Sequence, residues 1–491
     1  MKKNQLILCL QTGRLAALIA GIVFGVAAMA MAQPVPVQYQ TVYALTNLPL
    51  TNDYGPASGV VVGPDYALYG ATIGTGTGPT NAGFIFKVGP NGANFQMLHR
   101  FGSNPNDGVN NNFLSSYLNV LRQTANLGAL LVGADGMLYG TTTAGGSNNL
   151  GTVYRIAQNG ANYQIIHQFN GSTNGDAQPA AGLIQANNGL LYGTCLQGAI
   201  YALTTDGSGY QVLTNLLGNP LSASGSYDPL IQGQDGGLYG TYAGWTSYYG
   251  QLNSGGVFRI NLDGTGFTIL HAFDTVNNSV NMEGFLPIAN LVQTASGRLL
   301  GAAAKGGTNG FGTLFMLATN GSDFQVTYTF PGLFPDGTGY GGPVGGLVTG
   351  PGGRIYGNTY GNGYYYPVVF SIDQQGGNFQ TNYVYNGGYF NVGNLSVGPG
   401  ASPNLYGGIS GFRSSNTPLI YSLLVNPPLT ITLQNQQGLI SWPAWAVNYT
   451  LQTSPTLNGP WTPVTNGVPV VGVQLPASTN SSTVYRLINT P

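Results

Sequence analysis

Charge is what this sequence has least of. Its 491 residues hold 13 lysines and arginines against 14 acids, and Glu283 is the single glutamate. Three of the basic residues (Lys2, Lys3 and Arg14) fall in the first 32 positions, so 10 remain against 14 acids beyond them, a balance of about −4. Nucleic-acid binding requires a basic face, which this composition excludes. Two cysteines are present, Cys9 and Cys195. If the N-terminal segment is removed, Cys195 has no partner and no intramolecular disulfide forms. Three histidines, His99, His167 and His271, complete the small set of metal-binding side chains. What is abundant is glycine (78) and tyrosine (31), a mix that suits tight turns joined by aromatic strands and is the reverse of a disordered composition.

The first 32 residues read as a secretory signal peptide: a basic start, an apolar run from Leu15 to Ala28, and Ala30-Met31-Ala32 as a small-residue cleavage pattern before Gln33. The run is shorter than the ~20 apolar residues a spanning helix needs, and no later stretch is longer. Export to the cell surface or medium is expected, with the periplasm as the alternative destination, and no transmembrane segment after cleavage.

A recurring unit dominates the remainder. "DGMLYGTTTAGGSNNLGTVYRIAQNGANYQIIHQF" (Asp135–Phe169) returns with its Leu-Tyr-Gly core at Leu68, Leu138, Leu191, Leu238 and Leu405, and as variants at Leu299-Leu300-Gly301 and Ile355-Tyr356-Gly357. The seven copies are spaced 47 to 70 residues apart. Each has four short runs of β-branched and aromatic residues bounded by Gly, Asn or Asp: one like "AGLIQ", the LYG run, one like "GTVYRI" and one like "NYQIIHQF". Seven units of four strands predict an all-β, seven-bladed β-propeller over 33–426. The seventh unit lacks its fourth run, and "QYQTVYAL" (Gln38–Leu45) supplies the match from the N-terminus. The wheel is therefore expected to close on the strand Pro418–Leu423, with Tyr43 beside Tyr421, leaving no free edge.

Asp-Gly and Asn-Gly pairs fall between first and second strands (Asp135, Asp235) or third and fourth strands (Asn91, Asn159, Asp263, Asn320), where they predict short hairpins with primed turns. The unit resembles the Gloeo/Verruco (GloVer) tandem repeat of exported bacterial proteins, over roughly residues 35–425. That resemblance implies a propeller-like fold and brings no catalytic residues with it. Residues 427–491 carry Trp442, Trp445 and Trp461 and resemble the small fibronectin-like β-sandwich modules that end many such proteins, with "ISW", "YTLQTS", "GPW" and "VYRL" as the matching pieces.

Little chemistry is marked. "GTTTAGGSNNLG" precedes a strand, whereas a phosphate loop opens a helix. The three histidines occupy one slot in units one, two and four, hence separate blades, and cannot converge on a metal. Glycoside hydrolysis needs two carboxylates about 5–9.5 Å apart; Asp107, Asp176, Asp228, Asp274 and Asp336 lie in loops between blades, where they can meet near the axis. No catalytic residue, metal ligand or cofactor is assigned. Function is expected on the face carrying the variable second-to-third loops and inter-blade connections. Its candidate ligand-binding residues are Trp245, Tyr248, Tyr249, Tyr364, Tyr365, Tyr366, Phe311, Lys305 and Arg413, and a short helix is expected around Leu114–Arg122. The reading is an exported, monomeric, non-enzymatic module that binds glycan or another surface protein. The alternatives are a polysaccharide-active hydrolase or lyase using inter-blade carboxylates, and a purely structural envelope component.

Overall fold

A computed structural model of the chain describes residues 6–10, 37–45, 56, 58–74, 82–104, 106–109, 129–171, 175–179, 181–216, 228–243, 254–274, 281–332, 341–361, 366–385, 390–398, 404–411, 418–425, 430–434, 437–441, 449–454, 462–464, 472–474 and 483–489. No α-helix occurs among these residues, so none is long and apolar enough to cross a membrane. The expected helix at Leu114–Arg122 lies outside them.

The chain falls into two compact units. The larger, Tyr39–Pro399 with Leu405–Ser422, is a seven-bladed β-propeller. Blade 1 consists of Val61–Val62, Leu68–Ala71, Phe84–Val88 and Gln96–Arg100. Blade 2 consists of Leu131–Val132, Leu138–Thr142, Thr152–Ile156 and Gln164–Gln168. Blade 3 uses Ile184–Gln185, Leu191–Thr194, Ala199–Leu203 and Gln211–Asn215. Blade 4 uses Ile231–Gln232, Leu238–Tyr242, Gly256–Ile260 and Thr268–Ala272. Blade 5 uses Val292–Gln293, Leu299–Ala303, Thr313–Leu317 and Gln325–Thr329. Blade 6 uses Val348–Thr349, Ile355–Asn358, Val368–Ile372 and Gln380–Val384. Blade 7 joins Ser396–Val397, Asn404–Gly411 and Leu419–Val425 to the N-terminal strand Val37–Ala44. Leu45 N–H donates to Pro418 C=O at 2.9 Å where that closing strand ends.

The recurring motif follows from packing inside and between blades. Second and third strands are buried on both faces, which explains their near-continuous apolar character. The glycine of each LYG lies under the aromatic ring of the third strand. A Cβ at Gly70, Gly140, Gly193, Gly240, Gly301, Gly357 or Gly407 would come within 2.6 Å of Phe86, Tyr154, Tyr201, Phe258, Phe315, Phe370 or Tyr421 respectively. The motif tyrosine is tied to the preceding turn. Tyr69, Tyr139 and Tyr239 hydroxyls donate to Asp65, Asp135 and Asp235 at 2.9, 2.6 and 2.9 Å. Burial and the adjacent Asp135 carboxylate push the Tyr139 hydroxyl up to about 12.

The turns differ from the primed hairpins expected. In each, three residues span the loop: Gly133 N–H bonds Met137 C=O and Gly136 N–H bonds Gly133 C=O, with only Gly136 at positive φ (77°). Asp135 keeps a negative-φ conformation because its carboxylate takes the Met137 N–H at 3.0 Å, which fixes a type I turn ending in a left-handed glycine.

A bulge in the fourth strand joins the blades. Pairing between third and fourth strands skips one residue in blades 1 to 6: Leu98, Ile166, Leu213, Leu270, Thr327 and Asn382. One inserted residue reverses the alternation of side chains. Tyr163 and His167, four apart, therefore face opposite neighbours: Tyr163 stacks on His99 of blade 1 at 3.5 Å and His167 on Tyr210 of blade 3 at 3.7 Å. The same contact recurs as His271–Phe324 and Tyr328–Phe379 at 3.6 and 3.8 Å. Closure uses it twice. Tyr39 stacks on Tyr383 of blade 6 at 4.7 Å and Tyr43 on Phe95 of blade 1 at 4.5 Å. The closing strand is thus in its expected place, but the ring over Tyr421 is Tyr39, at 5.6 Å, because Tyr43 is turned outward to blade 1.

The smaller unit, Met1–Gln38, Gly400–Asn404 and Leu423–Pro491, contains two antiparallel sheets. One orders Leu6–Leu10, Thr483–Asn489, Tyr449–Ser454 and Thr462–Pro463; the other orders Thr430–Gln434, Gln437–Ser441 and Gly472–Gln474. Trp442, Trp445 and Trp461 lie outside the described residues.

Candidate functional site

The second-to-third loops lie on the same face as the inter-blade connections and are laced to them. Gly108–Val109, in the connection from blade 1, pairs with Ala144–Gly145 in the loop of blade 2, and single bridges join Pro179 to Cys195, Phe285 to Lys305 and Pro343 to Thr359. Of the candidate binding residues on this face, Trp245, Tyr248, Tyr249, Tyr364, Tyr365 and Arg413 lie outside the described residues. Lys305, from blade 5, reaches across to blade 6, where its Nζ donates to Tyr360 Oη at 2.9 Å and stands 5.0 Å from the ring centre. Phe311 is half-buried against the core of blades 5 and 6, lying over Gly332. Tyr366 is half-buried at the end of the blade 6 loop. Tyr360 had no mark in the sequence beyond being one aromatic among several, and it is the residue that organises Lys305.

The inter-blade carboxylates are placed at blade junctions. Asp107 is buried, 3.0 Å from His99 Nε2, and accepts the Tyr163 hydroxyl at 2.6 Å and Ser103 Oγ at 3.1 Å. Burial opposes its ionisation, but the hydrogen bonds from His99 and Tyr163 outweigh it and hold the pKa below 3.8. Asp176 occupies the next junction and accepts the Tyr210 hydroxyl. Glu283 lies 3.0 Å from His271 Nε2 and accepts Asp274 N–H. Asp228 is buried directly before Pro229, and Asp336 lies outside the described residues. Asp107 and Asp176 thus serve separate junctions instead of meeting at the axis, because each follows the outer strand of one blade and anchors the tyrosine that leads into the outer strand of the next. The histidines are likewise stacked at separate junctions, and no cluster of metal-ligating side chains occurs among the described residues. Burial lowers the His167 pKa and raises that of the Cys195 thiol well above 9.0, which leaves that cysteine unreactive.

Around the axis, each blade contributes the residue preceding the leucine or valine that leads into its first strand. These are Gly59, Ala129, Gly182, Pro229, Asn290, Gly346 and Asn394. A cavity of about 250 Å³ opens among them, lined by Ser58, Val61, Tyr69, Asn290, Asn394 and Ser396 as well as small and apolar residues, with no acid or base in its wall. A second cavity of about 400 Å³ lies beside it towards the first-to-second turns, bounded by Val62, Gly63, Val132, Gly136 and Val397. At the loop-rich end the axis is filled by apolar packing of Ile73, Ala243, Leu286, Ile288, Ala304, Val344 and Tyr360. The sequence signal for this ring was present: one fixed slot per repeat, small in five blades and Asn in two.

No curated protein matches the chain. Among solved structures, it is similar to a chain of a nidogen/laminin complex, with 14% identity and a TM-score of 0.36 over 63% of this chain and 90% of that one. It is also similar to a protein of unknown function from Dyadobacter fermentans DSM 18053, with 10% identity and a TM-score of 0.44 over 79% of this chain and 99% of that one. The sequence profile of the Gloeobacter/Verrucomicrobia repeat matches residues 21–197, 126–342 and 195–421. With the repeat running through all seven blades, the chain belongs to the Gloeobacter/Verrucomicrobia repeat family.

Proposed function

We propose that the protein is an exported, non-enzymatic binding module that engages a glycan or another surface protein through its loop-rich face. The observation that carries this reading is the use of its carboxylates. Asp65, Asp107, Asp135, Asp176, Asp235, Asp263, Glu283 and Asp373 are each held by N–H or O–H groups of their own turn or blade junction. Acid–base chemistry needs carboxylates aimed at substrate, and these are aimed at the scaffold. What varies between units is the loops, and variable loops on a rigid frame are where recognition concentrates. Their aromatic, weakly charged composition suits stacking on sugar rings or packing against a protein. In this reading residues 1–32 are removed on export, the mature chain is a monomer, and residues 427–491 form a fibronectin-like β-sandwich.

A glycan-array screen of the mature protein tests the proposal. Retention that disappears in Trp245→Ala while the melting temperature is unchanged supports it. Release of shortened saccharides, abolished by Asp336→Asn, would replace it with the enzymatic reading.

A further inference from the structure

The axial ring holds one hydrogen-bond donor and one acceptor that the fold leaves unused. Asn290 Nδ2 donates to the carbonyls of Leu291 and Leu347 at 3.1 and 3.2 Å, which occupies both of its hydrogens. Asn394 Oδ1 accepts the Gly346 N–H. Those partners fix the orientation of both amides. Asn290 Oδ1 and Asn394 Nδ2 are left with no hydrogen-bond partner among the described residues, and both reach into the space a side chain at position 346 would fill. Glycine at 346 keeps that space open.

The geometry points to a binding site at the propeller axis for a small neutral molecule carrying adjacent hydroxyl or acetamido groups, no larger than one sugar ring. Three properties of the cavity set the ligand class. Its wall contains no charged side chain, so an ionised ligand would be buried unpaired at a cost of several kcal/mol or more. Its volume of about 250 Å³ is below the ~300–1,000 Å³ of pockets for larger ligands. Its free polar groups are a neighbouring donor and acceptor, the Asn394 Nδ2 and Asn290 Oδ1, with the Ser58 hydroxyl in the same wall while the Ser396 hydroxyl is engaged with the Val60 carbonyl, a set that matches a vicinal diol or an amide. Apolar packing of Ile73, Leu286, Ile288, Val344 and Tyr360 closes the loop-rich end, so entry is from the turn face, past Val62, Val132 and Val397. The site is therefore separate from the loop-rich face and independent of what that face binds.

Titration of the full mature chain with N-acetylglucosamine and galactose as neutral probes, and glucuronate and glucosamine as charged ones, tests this. The expected result is binding of a neutral probe that weakens about tenfold, equivalent to ~1.4 kcal/mol, in Asn394→Leu and in Asn290→Leu. Binding should be unchanged in Trp245→Ala and absent for both charged probes. Equal binding of charged sugars, or neutral binding that survives both Leu variants, overturns the assignment. Should those variants fail to fold, crystals of the unaltered protein soaked in each neutral probe decide it. Density for the probe between Asn290 and Asn394 supports the site, whereas water alone, or a probe bound only elsewhere, ends it.

Discussion

Two glycines of one chain show how differently a single residue type is required. Gly140 lies beneath the Tyr154 ring, so a methyl group there collides in a fully buried layer, although its backbone is ordinary. A methyl group on Gly189 would meet nothing within 4 Å, but the backbone there has a φ of +82°. Gly140→Ala is expected to destabilise by about 2 kcal/mol through overpacking, and Gly189→Ala by about 1 kcal/mol through backbone strain alone. Calorimetric melting of the two variants should rank them in that order. His167 gives a prediction in pH. Burial against Tyr210 and Phe169 lowers its pKa from the ordinary 6.5, although Asp176 pulls the other way. A group with a depressed folded pKa contributes stability that is complete above its unfolded value and is lost as pH falls through the folded one. Stability should therefore begin to fall below about pH 6.5, and His167→Phe should remove that part of the slope in melts recorded from pH 7 to 5.

At the scale of the strand, the fourth-strand bulge decides how blades meet. The glycine of each third-to-fourth turn packs against the preceding blade, on its inserted residue for Gly160 (Leu98), Gly207 (Ile166), Gly264 (Leu213), Gly321 (Leu270) and Gly376 (Thr327), and on Val42 of the closing strand for Gly92. The outer strand and the turn are thus one joint, made at six of the seven interfaces; blade 7 takes its fourth strand from the N-terminus and has no such turn to set on blade 6. Deleting Ile166 would straighten the strand and leave Tyr163 and His167 three residues apart, still on opposite faces, so both stacks would be kept and only the packing of Ile166 on Gly207 lost. The deletion and Ile166→Ala are therefore expected to lower stability by similar amounts, about 2 kcal/mol each, since both lose the side chain of Ile166 and neither loses a stack. Comparing the two variants by thermal denaturation checks it. A second inter-blade device uses glutamine. Gln185, Gln232 and Gln293 on the first strands of blades 3 to 5 accept N–H groups of Ala134, Asn187 and Gln234 in the turn of the blade before, at 2.8, 2.9 and 2.8 Å.

For the molecule as a wheel, the closing strand is the point of failure. Val37–Ala44 completes blade 7, and Tyr39 and Tyr43 attach it to blades 6 and 1. A chain beginning after Leu45 would expose the edge of Leu419–Val425, and size-exclusion chromatography with light scattering should then show a larger share of associated species than the unaltered chain gives. If residues 1–32 are removed on export as proposed, intact mass of the secreted chain should place its start at Gln33. That cleavage would spare the closing strand while removing Leu6–Leu10 from the edge of the C-terminal sheet, where it pairs with Thr483–Leu487.

The repeat, its four strands, the number of blades and the N-terminal closing strand were all readable from the residues, because periodic spacing and β-branched runs are local properties of a chain. The turn aspartates were readable as turn residues for the same reason. Tertiary packing decided which neighbour each aromatic meets: Tyr163 and His167 share a face in any regular strand, and only an inserted residue, invisible in the spacing, separates them. It also decided that Asp107 and Asp176 serve blade junctions, and that Asn290 and Asn394, more than a hundred residues apart, share one small cavity. A slot in a repeat becomes a site only when closure of the ring brings its seven copies around one axis.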